Sequence, residues 1–164
     1  MKAQAIEQGD RKTQSRINKK RLLKLTVGGG VVFWVTTIVT SLLPVAAEYR
    51  AAFSNWSIET VWIGSLIMGM IFGCCVSYSL LRFFEKIPAK GPIRKSVILS
   101  AIALVIAIVL VDVPMILHAP NTPVDFFLLG VVFNATRFIL LGFIIGYLYK
   151  KLSGINRSDT SHQK

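Results

Sequence analysis

The sequence predicts an all-α integral membrane protein: an antiparallel bundle of four transmembrane helices with the N-terminus and the C-terminus both cytoplasmic. Two observations carry this expectation. Four apolar stretches, at 25–46, 58–81, 93–117 and 124–149, each reach the ~20 residues that a helix rising ~1.5 Å per residue needs to cross a ~30 Å hydrocarbon layer. The polar segments between them alternate in charge. Residues 1–24 carry eight Lys or Arg, 82–95 five and 150–164 four, which leaves only Arg50 and Arg137 of the 19 basic residues elsewhere. Short loops rich in Lys and Arg stay in the cytoplasm, so the three basic segments fix the orientation.

Composition supports the same class. Hydrophobic residues make up 53% of the chain and the mean hydropathy is +0.58, outside the balance of a soluble domain. Four spans leave two polar tails and short loops of the 164 residues, with no room for a soluble catalytic domain. The expected partition is a basic tail at 1–24, a membrane domain at 25–149 and a second tail at 150–164. The net charge of +11 is explained largely by topology, which removes most of the case for nucleic acid, and none is expected as a partner. The expected partners are the lipid bilayer and, at the basic cytoplasmic segments, anionic lipid headgroups, worth ~1 kcal/mol per surface Lys or Arg. The setting that fits is the plasma membrane of a prokaryote.

The elements follow in order. Residues 1–24 are polar and lack aromatic rings, and read as disordered or as helical only against the membrane surface. The first span contains Gly28, Gly29 and Gly30, which permit close backbone approach, and it ends near Pro44. Val45, Ala46 and Ala47 would suit a signal peptidase, but the long basic lead favours an uncleaved anchor. Tyr49, Phe53, Trp56 and Trp62 belong to a membrane–water interface, so a short interfacial helix is expected there. Asn55-Trp56-Ser57 matches a glycosylation sequon too close to the membrane surface to weigh heavily. Pro88, Gly91 and Pro92 make the link between spans two and three a turn. Span three should kink or end around Pro114, and the short link 118–123 makes spans three and four neighbours. Glu59 to Gly64 and Asp125 to Gly130 repeat one spacing, but the halves do not otherwise align. The tail beyond Tyr149 is expected to be polar and mobile.

Small residues recur every fourth position in span two, at Ser65, Gly69, Gly73 and Ser77, and again at Gly142 and Gly146 in span four. Such ladders let helices pack closely. Packing within the bundle is the first expectation, and a homodimer interface the sharper one.

Arg137 is the strongest functional pointer. It lies near the middle of span four, where a charge costs ~2.5–3.5 kcal/mol to insert and therefore faces protein or water. Spacings of three and four put Gly130, Asn134 and Leu141 on its face, so Arg137 and Asn134 form one polar site. Asp112 is the nearest acid, but lies ~12 Å closer to the external side. A direct pair would need tilt, snorkelling or a bridging water; otherwise Arg137 should bond backbone carbonyls or the hydroxyls of Thr36, Thr37 and Thr40. Asp112 also falls opposite the stripe Ser96, Ser100, Ala103 and Ala107, and is expected to face a different neighbour from that stripe.

No catalytic machinery is evident. Cys74 and Cys75 are adjacent, point ~100° apart on a helix and cannot pair without distorting it; inert packing is the expectation. His118 and His162 fall on opposite sides of the membrane, and no metal site or cofactor is expected. The predicted role is non-enzymatic: a membrane-embedded interaction or accessory component, whose partner is another membrane protein or a second copy of the chain. The alternative is a small dimeric transporter or channel with Arg137 and Asn134 lining an anion-compatible path.

Overall fold

A computed structural model describes residues 2–53, 57–117 and 124–159, with side chains over 19–51, 57–114, 117 and 124–153. The described residues are helical, with four helices long and apolar enough to cross a membrane: Lys19–Ser41, Ile58–Phe83, Pro92–Asp112 and Val124–Ser153. In chain order the elements are α1 (Lys2–Ser41), α2 (Pro44–Phe53), α3 (Ile58–Phe83), α4 (Pro92–Ala107), a π-helical turn (Ile108–Asp112), α5 (Val113–Leu117) and α6 (Val124–Asp159).

Both basic ends are helical, which for residues 1–24 was one of the two states expected and for the segment after Tyr149 replaces an expected mobile tail. α1 is helical from Lys2, and α6 continues past Tyr149 to Asp159. Once a span supplies the costly nucleus, Lys, Arg, Gln and Ala extend the helix with little penalty. The first span stops at Ser41, because Pro44 cannot continue it and instead opens α2 at its first position. Two side chains then tie off the end of α1. Arg50 Nη1 donates to the Ser41 carbonyl at 3.2 Å, and Trp62 Nε1 donates to the Ser41 hydroxyl at 2.9 Å. A cation at a helix C-terminus is where the macrodipole favours it, which accounts for one of the two stray arginines.

The turn between α3 and α4 depends on one backbone setting. Gly91 has φ +88° and ψ 152°, a region open essentially to glycine, and it delivers the chain to Pro92 at the start of α4. Lys95 then reaches back over this turn: its ammonium donates to the Phe84 carbonyl and sits 4.1 Å from the Phe84 ring centroid. That ring in turn stacks on Tyr149 of α6, with centroids 4.9 Å apart.

The glycine ladders pack the helices inside the chain. A Cβ on Gly69 would come 2.9 Å from the Gly30 carbonyl oxygen, and one on Gly73 would come 2.9 Å from that of Thr26. Ser77 is buried on the same face and Ser65 half-buried, its hydroxyl bonded to the Trp62 carbonyl. In α6, Gly142 sits against Ser100 and Val97, and Gly146 against Pro92 and Ile93. The face offered by Gly69 and Gly73 is therefore occupied by α1 of the same chain. Between the helices lies a core of Leu25, Phe33, Val76, Leu80, Phe138, Leu141 and Ile145. Phe138 meets Phe33 and Phe72 edge-on at 5.6 and 4.8 Å, contacts worth ~0.5–1.5 kcal/mol each beyond their area. Cys74 and Cys75 are free and lie on the outer surface of α3, so they face the lipid side instead of packing in the core.

Candidate functional site

Arg137, Asn134 and Asp112 are brought together, by a route their sequence depths did not suggest. The Asn134 amide nitrogen donates to both oxygens of Asp112, at 3.2 and 2.9 Å. Its amide oxygen accepts from Arg137 Nη1 at 3.1 Å. Arg137 Nη2 reaches the Thr40 hydroxyl of α1 at 3.4 Å. A side-chain amide thus links the two charges, where a direct pair was expected to need tilt, snorkelling or a bridging water. The chemistry fixes its orientation: a carboxylate only accepts and a guanidinium only donates, so an amide between them must turn its NH₂ to the acid and its oxygen to the arginine.

The expectation for Asp112 is corrected here. Asp112 is buried and faces α6, the same helix that Ser100 of the small-residue stripe packs against through Gly142. The reason is the π-helical turn Ile108–Asp112, closed by the Val113 amide bonding to the Ile108 carbonyl. An i→i+5 helix holds about 4.4 residues per turn, so five residues advance ~50° past a full turn instead of the ~140° of an α-helix. Asp112 swings back toward the stripe face. Pro114 explains the location. A proline within a helix has no N–H to donate and crowds the carbonyl of residue i−4, and the wider turn immediately before it relieves both.

Only one of the three candidate threonines takes part. Thr36 and Thr37 hydroxyls bond the Val32 and Phe33 carbonyls of their own helix at 2.7 and 3.0 Å. Thr40 donates to the Thr36 carbonyl at 2.9 Å, which leaves its oxygen lone pairs free to accept from Arg137. The network thereby joins α1, the π-turn and α6. Arg137 keeps one unmatched group: its Nε is buried without a hydrogen-bond partner.

Tyr49 and Gly130 complete the surroundings. The Tyr49 hydroxyl lies 2.7 Å from the position a Cβ on Gly130 would take, and its ring packs against Phe126 and Phe133 at 6.5 and 6.3 Å. Burial pushes the Tyr49 phenol above its ordinary value, Asp112 pushes it the same way, and Arg137 opposes both. Tyr49 was read from sequence as an interfacial ring; its partner signal was Gly130, the glycine on the polar face of α6 that leaves room for it. Gly64, which the repeated spacing would equate with Gly130, has open space at its Cβ position.

Among the described residues no group of three or more His, Cys, Asp or Glu is placed to hold a metal. His118, His162, the link 118–123 and Asn55 and Trp56 of the sequon lie outside the described residues. No family model matches the chain, and no curated protein or solved structure matches it either.

Proposed function

We propose that the chain is a non-catalytic, multi-pass component of a prokaryotic plasma membrane, which acts by assembling with another membrane component. Its form is an antiparallel four-helix bundle with both termini cytoplasmic. The order of close contacts supports the antiparallel arrangement: Gly30 lies by Gly69 and Thr26 by Gly73, and Ser100 lies by Gly142 and Ile93 by Gly146. The alternation of basic segments supports the orientation.

The observation that carries the reading is the bonding of Asp112, Asn134, Arg137 and Thr40 to one another. Two intramembrane charges of opposite sign are linked through one amide and hold three elements in register. That is the behaviour of a structural lock, which leaves the outer surface to make partner contacts. A transport path through Arg137 and Asn134 is the second reading, and the unpartnered Arg137 Nε favours it. Arg137→Ala separates them. The assembly reading expects a lower melting temperature in detergent, or loss of a co-purifying membrane protein, with proteoliposome anion flux at background for both chains. Flux by the native chain that disappears in a variant of unchanged melting temperature would establish the transport reading instead.

A further inference from the structure

At the end of the molecule that carries the basic segments, α1 and α6 leave a groove of about 590 Å³ between them. Leu23, Val27, Gly28, Leu148 and Leu152 line it, together with Lys24 and Lys151. Gly28 sets one wall of the groove: a Cβ at that position would run into Leu148 Cδ1, so the Leu148 side chain lies directly against the α1 backbone there. Lys24 and Gly28 are spaced i, i+4 on α1, and Leu148, Lys151 and Leu152 are spaced i, i+3, i+4 on α6, which puts each set on one helix face. Both lysines are exposed, and among the described residues no acid lines the groove.

An apolar trough with two exposed lysines among its lining residues matches the layout of a phospholipid. We propose that this groove binds one anionic phospholipid, with an acyl chain along Val27, Gly28 and Leu148 and its phosphate between Lys24 and Lys151. Lysine suits the role because its alkyl stem lies along apolar surface while the ammonium stays at headgroup level. The preference is for a net negative headgroup: two cations, with no acid among the described lining residues, leave a zwitterionic lipid's own cation without a partner. The site is separate from the Arg137 network, about eleven residues or ~16 Å further along α6. It requires only that the helices span a bilayer, and not the role proposed for that network.

Native mass spectrometry of the full chain, released from detergent and titrated with phosphatidylglycerol or with phosphatidylcholine, tests this. One phosphatidylglycerol should be retained more tightly than phosphatidylcholine. Lys24→Gln with Lys151→Gln should weaken that binding about thirtyfold, close to fivefold for each surface lysine. Gly28→Leu, which keeps both charges but displaces Leu148 from the wall of the trough, should weaken it as well. Removing two other basic charges, by Lys86→Gln with Lys90→Gln, should leave the affinity within about twofold. Equal retention of the two lipids, an equal loss in the Lys86 and Lys90 variant, or no loss in the Lys24 and Lys151 variant would overturn the assignment.

Discussion

At the scale of single residues, Asn134 is the member of the network that no other side chain replaces. It turns a donor to Asp112 and an acceptor to Arg137, and few side chains of its length offer both. Asn134→Ala should take this bond from both charges, leaving Arg137 only Thr40, and cost about 1–3 kcal/mol. Asn134→Asp should cost more, since it places a second carboxylate against Asp112; thermal unfolding in detergent reads the order. Arg137 was legible in the sequence because a charge in the middle of an apolar stretch has no bland placement. Asn134 followed from helical spacing alone. Tyr49 did not, because an aromatic residue beside a span reads as an interfacial ring wherever its hydroxyl points. The selection of Thr40 from three threonines was equally hidden, since it turns on which hydroxyl oxygen its own helix leaves open.

At the scale of elements, the glycine ladders and the π-turn show what a residue pattern does and does not specify. The Gly69 and Gly73 spacing foretells close helix packing but says nothing of the partner, which proves to be the triple-glycine segment of α1. Gly73→Ile is therefore expected to act within one chain. Its side chain would meet the Thr26 carbonyl and the backbone of Gly29 and Gly30, groups that cannot move as a flexible side chain would. The loss should be at least the ~1–3 kcal/mol typical of overpacking, seen as a lower melting temperature. A variant of unchanged stability that loses self-association in a bilayer would assign the face to a dimer instead. The π-turn was the less legible feature. Pro114 marked a disturbance in span three, but hydropathy and length do not register one extra residue per turn. That single change of pitch moved Asp112 from the far side of the helix onto the α6 face.

For the whole molecule, four apolar helices and the alternation of basic segments were readable because each depends on composition over many residues. The continuity of α1 and α6 into the basic ends was less so, because polarity alone does not distinguish a solvated helix from a disordered tail. Arg50 and Arg137, the two basic residues that topology leaves over, prove to have different tasks. Arg50 ties off the end of α1, and Arg137 belongs to the polar lock. The central claim is that Asp112 and Arg137 act as one unit through Asn134, and a double-mutant cycle on thermal unfolding tests it most directly. Asp112→Asn and Arg137→Gln should each cost about 1–3 kcal/mol, or several degrees at ~2–4 °C per kcal/mol for a chain of this size. The double variant should lose less than the sum of the two, by ~0.5–3 kcal/mol of coupling. Losses that simply add would mean that the two charges are independent, and would contradict the lock.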